Sequence, residues 1–323
     1  MVVNNAGTGN KKHCEIGGYF SLETQNGSEY HSGAVRLNSA KNCLRYIIRA
    51  YGIKSLYVPG YTCPIVWDAV NMEQCEIKLY SIDKTFMPKE SFPKDSYILY
   101  TNYFGICSEN VKMLSEKYPR LIVDNSQSFF SGKMGMASFN SARKFFGVPD
   151  GAYLFTDKGL PDKFDTDISW ERASHLLIRA DLGAEAGFDE FKKNDCSLCG
   201  EEIKAMSNLT QNILKGIDYK SVIKMRTYNF RYLHEELESI NELKVSFGGG
   251  DIPMCYPFLY KRNGIRKGLI DQKIYVPTYW TGQCDQDVGR YFEQYLCPIP
   301  IDQRYDKEDM SFVAGQLLKI INS

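Results

Sequence analysis

The chain has 323 residues, of which 43% are hydrophobic, 24% charged and 13% aromatic, the profile of a globular protein large enough to bury a core without staple or metal. Its 39 Lys and Arg balance 39 Asp and Glu, which leaves no net charge for broad binding to nucleic acid or to an anionic membrane. No stretch reaches the roughly 20 apolar residues that span a bilayer, and residues 1–12 lack the apolar core of a signal peptide.

Residues 1–35, rich in Gly, Asn and Ser, read as an irregular arm. Strands and helices then alternate. NCLRYIIRAY (42–51) places Leu44, Ile47 and Ile48 on one helical face, SLYVP (55–59) is a short strand stopped by Pro59, and PIVWDAVNM (64–72) is a helix opened by Pro64. IKLYSID (77–83), YILY (97–100) and RLIV (120–123) follow as strands, with a helix over 109–118, and MASF (136–139) and AYLFT (152–156) add two more. Short β-rich runs joined by helical segments predict an α/β fold, a mostly parallel sheet with helices on both faces.

From 168 to about 241 the pattern is helical, in three runs over 168–180, 200–217 and 218–240. Beyond Gly248–Gly250 a smaller α+β pattern takes over: strands MCYPFLY and IYVPTYW, a helix RKGLIDQ and a final amphipathic helix from Tyr305. The expected division is an arm and large domain over 1–220 and a small C-terminal α+β domain over 221–323.

Ten cysteines lie scattered, most in apolar runs where a reduced thiol acts as a small hydrophobe, and the expected setting is the reducing cytoplasm. Cys196 and Cys199 form a lone CSLC with no second pair and no His at ligand spacing, and it reads as two incidental thiols in a loop rather than a metal site. His13, His31, His175 and His234 form no cluster in the sequence.

In an open parallel sheet, chemistry gathers at the carboxyl ends of the strands. Those ends read Pro59-Gly60-Tyr61-Thr62-Cys63, Tyr100 to Gly105, Asp124-Asn125-Ser126-Gln127, Ser138 to Lys144 and Asp150-Gly151. Asp124 follows the apolar run LIV, so its charge falls at a partly buried edge and costs several kcal/mol without a cationic partner. Asp124 taken alone reads equally as a helix cap. A cationic partner that fits is the protonated ring nitrogen of pyridoxal phosphate, a cofactor held by an Asp and joined to a Lys.

The segments VPGYTC, YTNYFG, VDNSQS, MASFNSARKFFGVPDGAYLFT, RTYNFRYL, IPMCYPFLY and PIPIDQRYDKEDM resemble the DegT/StrS type of pyridoxal-phosphate-dependent nucleotide-sugar aminotransferases, which have the aspartate-aminotransferase fold. The resemblance extends from about Gly17 to the C-terminus. It implies that Asp124 keeps the ring nitrogen protonated, that Gln127 contacts the ring hydroxyl and that Ser138 binds the phosphate. It further implies that Ala40 and Lys41, in the helix-opening Ser39-Ala40-Lys41-Asn42, lie at the phosphate, and that Asn229 reaches the phosphate of the neighbouring subunit in a homodimer. The implied substrates are a nucleotide-linked keto sugar and an amino-acid donor such as glutamate, the implied context polysaccharide or modified-sugar biosynthesis.

Three departures from the family pattern stand out. The family lysine lies five residues after the Ser, where this chain has Arg143, and Lys144 lies one further on. Arginine stays protonated and forms no imine, so the catalytic role falls to Lys144. Cys63 stands where the family stacks an aromatic or His on the ring, leaving Tyr61 or Phe104 as substitutes, and Ser39-Ala40-Lys41-Asn42 replaces the family's S-G-T-N. These departures keep a second reading open, a non-catalytic relative that binds a sugar nucleotide or a partner, and with it a cofactor-retaining dehydratase.

Overall fold

A computed structural model describes residues 18–244, 248, 250–281 and 287–323. After a short strand β1 (Val35–Leu37), helix α1 (Ala40–Tyr51) opens where the Ser39 side chain accepts the Asn42 N–H and closes at Gly52, which adopts a left-handed conformation (φ 62°). It buries Leu44, Ile47 and Ile48 as its spacing predicts. Strand β2 (Ser55–Pro59), helix α2 (Pro64–Met72) with proline in its first turn, and strands β3 (Glu76–Tyr80) and β4 (Ile98–Thr101) follow. Helix α3 (Ser108–Lys117) leads into β5 (Leu121–Asn125), β6 (Ala137–Asn140) and β7 (Ala152–Thr156).

These strands form one sheet in the order β1-β7-β6-β5-β4-β2-β3. The five strands from β6 to β3 are parallel, and only β7 and β1 are added by antiparallel pairing. Parallel pairing brings the carboxyl ends of β2, β4, β5 and β6 to one edge, where the polar residues of the sequence gather. One face carries Leu56, Val58, Leu99, Ile122 and Phe139 against Leu44 and Ile47 of α1 and Val66 and Val70 of α2.

Four helices succeed the sheet: α4 (Ser174–Leu182), α5 (Phe188–Gly200), α6 (Asn208–Lys215) and the long α7 (Tyr219–Leu237). The C-terminal part holds β8 (Cys255–Leu259), α8 (Ile265–Asp271), α9 (Asp287–Tyr295), β9 (Leu296–Pro300) and α10 (Lys307–Asn322). The second sheet face, with Ile98, Tyr100, Leu121 and Val123, shares one core with Phe230 and Leu233 of α7, β8, β9 and α10.

Three expectations are corrected. Ile274–Trp280 is not a strand. The second strand of the small sheet is β9, hidden in the sequence by Pro298 and Pro300 but tolerated because a two-stranded sheet is all edge. Residues 201–207 run irregularly beside Leu37 and Thr166 instead of opening a helix, and α6 begins only at Asn208, capped by Ser207. Cys196 and Cys199 lie on α5 rather than in a loop. The eight described cysteines are unpaired, and the described residues include no helix long and apolar enough to cross a membrane.

Candidate active site

Strand β6 ends at Asn140. Ser141 continues in extended conformation (φ −131°, ψ 117°), and a tight turn over Ala142–Lys144 follows. Two backbone bonds hold this turn: the Ala142 N–H donates to the Gly151 carbonyl (3.0 Å) and the Gly151 N–H to the Asn38 carbonyl (2.8 Å). Gly151 needs its glycine, since φ is 108° and an added Cβ would lie 2.8 Å from Thr210 Cγ2. The turn is thereby moored beside the residue preceding the cap of α1.

The two adjacent basic residues part company here. Arg143 donates to the Asp195 carboxylate of α5 at 2.6 Å. Lys144 is exposed, its Nζ stands 5.7 Å from the centre of the Tyr279 ring, and its charge acts on Asp124, Cys63 and Cys255.

Asp124 is buried at the end of β5, and its Oδ1 accepts the Ser126 N–H at 2.8 Å. Burial pushes its carboxyl above the ordinary value, against the opposing effects of the Ser126 hydroxyl and N–H and the Lys144 charge. Gln127, also buried, accepts the Phe104 N–H on Oε1 (2.7 Å), while its Nε2 has no partner among the described residues. Buried amide donors are normally bonded, so this one is an exception within the site.

The remaining sequence-predicted residues are placed less uniformly. Ala40 is the first residue of α1 and half-buried, and Lys41 follows it. The Lys41 ammonium donates to the Cys199 carbonyl, so its charge is engaged beside α5. Ser138 is wholly buried within β6; its Oγ accepts the Met134 N–H (3.1 Å) and donates to the Gly132 carbonyl (3.3 Å). Asn229 is 0% exposed, and its Nδ2 donates to the carbonyls of Ile301, Asp302 and Tyr305 of its own chain. Within its own chain the Asn229 amide fastens α7 to the approach to α10. Tyr61 and Phe104 are fully buried in the aromatic core against Trp280 and Tyr279, which removes them as ring-stacking substitutes. Half-buried Cys63 remains beside Lys144 and Asp124.

A cavity of about 550 Å³ opens at Lys144, bordered by Arg143, Arg179, Arg226, Asp302 and Arg304. Through His175, Arg179 and Phe191 it adjoins a second cavity of about 720 Å³ with an apolar wall of Phe188, Ile270, Tyr275 and Val276. Arg226 is fully buried, donates to Gln303 Oε1 (3.0 Å) and the Pro253 and Met254 carbonyls, and lies over the Phe145 ring; burial draws its guanidinium down to about 10. Gln303 in turn donates to the Phe145 carbonyl (2.9 Å), which ties the C-terminal part to the Lys144 turn. Sequence reading missed this cationic lining, because its members come from separated segments whose arginines carry no local signal. Among the described residues no cluster of His, Cys, Asp and Glu is arranged to hold a metal ion.

No protein-family model and no curated protein matches the sequence. Solved structures do match. A DegT/DnrJ/EryC1/StrS aminotransferase from Brucella abortus superposes with a TM-score of 0.61 at 14% identity, covering 89% of this chain and 85% of that one. S. venezuelae DesV, solved in complex with a ketimine intermediate, gives 0.63 at 15% identity over 90% and 85%. The E coli GDP-4-keto-6-deoxy-D-mannose-3-dehydratase, with bound hydrated PLP, gives 0.62 at 14% over 88% and 87%. The chain has their fold. Its sheet and site residues therefore sit in a scaffold that, in those proteins, serves both amine transfer and dehydration.

Proposed function

We propose that the chain is a DegT/StrS-type pyridoxal-phosphate-dependent aminotransferase. It acts as a cytoplasmic homodimer on a nucleotide-linked keto sugar, with an amino acid such as glutamate as donor, in polysaccharide or modified-sugar biosynthesis. Residues 1–220 form the cofactor-binding domain and residues 221–323 the smaller domain beside it. The observation that carries the reading is the divergence of Arg143 and Lys144: the arginine is held by Asp195, and the one residue able to form an imine acts on Asp124.

The residues present fit the cofactor. Asp124 is a buried carboxylate suited to a protonated ring nitrogen, Gln127 offers free Nε2 donors for a ring hydroxyl, and Lys144 supplies an amine. When bound, pyridoxal phosphate supplies the electron sink that makes the donor's α-carbon acidic. Lys144 anchors it and, once free, carries the proton at the α-carbon as general base and then acid. Asp124 holds the proton on the ring nitrogen. The excess of arginine over carboxylate around the cleft suits an anionic substrate, and the apolar wall beyond excludes water. Lys144 favours amine transfer over dehydration, since the family resemblance implies that dehydrating members lack the lysine.

The test is reductive trapping. Protein loaded with pyridoxal phosphate is expected to show a visible band, to lose it on borohydride treatment and to carry the label on Lys144 in peptide maps, while Lys144→Ala stays colourless and inactive. Label on another lysine would relocate the site, and no label on loaded wild-type protein would favour the non-catalytic reading.

A further inference from the structure

We propose that Cys196 and Cys199 are a redox-modification site: a low-molecular-weight disulfide oxidises them to an intrahelical disulfide, which loosens the neighbouring Lys144 turn. The proposal stands apart from the cofactor reading above.

Exposure and spacing select the pair. Of the eight described cysteines these two are exposed, while the other six are buried or half-buried. Both lie near the end of α5, three residues apart, so their side chains neighbour each other on one helical face. Helical rise and radius place such Cα atoms about 5 Å apart, inside the roughly 4.4–6.8 Å that a disulfide accepts. The Cβ atoms must still close from about 5–6 Å to about 3.8 Å, so the turn has to tighten. The end of α5 leaves room for this. Gly200 is its last residue, a Cβ added there would meet nothing within 4 Å, and Glu201 is already extended (ψ 142°).

The two thiols differ in readiness. Cys199 Sγ donates to the Asp195 carbonyl (3.4 Å), and burial together with the Asp195 charge raises its thiol against the effect of the Lys41 ammonium. Cys196 is therefore the first to attack. It gives up its proton, its thiolate bonds to one sulfur of the oxidant, and a small thiolate leaves and takes up a proton. Cys199, deprotonated in turn, attacks the Cys196 sulfur and expels the second small thiolate. Two protein thiols have then lost two electrons and two protons, and the oxidant has become two thiols.

The same end of α5 carries two contacts to the site. Asp195 accepts from Arg143 (2.6 Å), the residue before Lys144, and the Cys199 carbonyl accepts from the Lys41 ammonium at the start of α1. Asp195 directly precedes one bridged residue, and the carbonyl belongs to the other. Tightening the turn displaces both acceptors together, and Arg143 loses its hold on α5.

The test treats the protein with oxidised glutathione and maps it by mass spectrometry. Both cysteines fall in the peptide between Lys193 and Lys204. That peptide is expected to lose the mass of two hydrogens and to regain it with dithiothreitol. Cys199→Ser, without the resolving thiol, is expected to retain glutathione on Cys196. Hydrogen exchange reads the coupling: amides of residues 142–146 are expected to exchange several-fold faster in oxidised than in reduced wild type. Cys196→Ser given the same treatment is expected to show no such change. A pair that stays reduced, or that carries only glutathione adducts, would overturn the disulfide. Equal exchange in the two states would overturn its action on the Lys144 turn. Neither readout uses pyridoxal phosphate, so failure of the cofactor reading would show separately, as absence of the borohydride label.

Discussion

Asp124 shows how a single residue can carry a stability cost that function offsets. Its carboxyl is buried, accepts the Ser126 N–H and has no ion-pair partner closer than the longer-range charge of Lys144. Burial raises its folded-state pKa, so between the ordinary carboxyl value and that raised value the folded protein holds more protons than the unfolded one. Stability from this group is therefore lost as pH rises through that window. Asp124→Asn removes the charge while keeping an oxygen for the Ser126 N–H. Cofactor-free Asp124→Asn is expected to melt at least ~2–4 °C higher than wild type at neutral pH, an equivalent of about 1 kcal/mol, and to lose that advantage at pH 4. With cofactor bound the order is expected to reverse, because the ring nitrogen's proton then faces the carboxylate. Turnover in the variant is expected to fall on the order of a hundredfold, as for loss of one charge-assisted hydrogen bond. Calorimetry across pH with and without cofactor distinguishes this from a cap, whose loss would lower the melting temperature in every condition.

Among the elements, the turns at the carboxyl edge bear the site, and glycine is where they are most exacting. Gly105 closes the turn after β4 with φ 71°, and a Cβ there would lie 2.6 Å from the Gln127 carbonyl oxygen. The neighbouring Phe104 N–H is the donor that orients the Gln127 side chain. Gly105→Ala is expected to cost about 1–3 kcal/mol in unfolding experiments and to weaken cofactor binding by displacing Gln127, with Lys144 still labelled by borohydride. Edges of this kind are partly legible in a sequence. SLYVP, PIVWDAVNM and AYLFT match their elements residue for residue, because β-branched runs and a first-turn proline are local signals. Asp124 and Lys144 were singled out by their order along the chain, and in the structure the Lys144 charge acts on buried Asp124. The surroundings of Ser138 and Asn229 were not legible: which face a strand residue takes depends on register, and what a helix amide bonds depends on a loop 72 residues away. β9 was invisible behind its prolines.

At the scale of the whole molecule, the sequence rests a dimer on Asn229, and the exposed surface supplies a second reason. Ile168, Trp170, Leu177, Leu182 and Phe188 are 74%, 68%, 63%, 73% and 53% exposed, all within one stretch that includes α4 and the start of α5. Exposed large apolar side chains concentrated in one stretch of chain are candidates for an interaction site, and a chain of zero formal charge sets up no long-range repulsion between copies. The same stretch holds His175, Arg179 and Phe191, which border both cavities of the cleft. A second copy seated on the exposed residues would therefore stand next to the cleft mouth and restrict how Arg179 is presented. Wild-type protein at micromolar concentration is expected to sediment as a two-chain particle, and the Trp170→Glu, Leu182→Glu double variant as a single chain with an unchanged far-ultraviolet spectrum. If the copy does border the cleft, that variant should raise KM for the anionic acceptor several-fold while Lys144 still takes the borohydride label. A wild type that sediments as one chain would end the dimer proposal, and a dissociated variant with unaltered KM would separate self-association from the site.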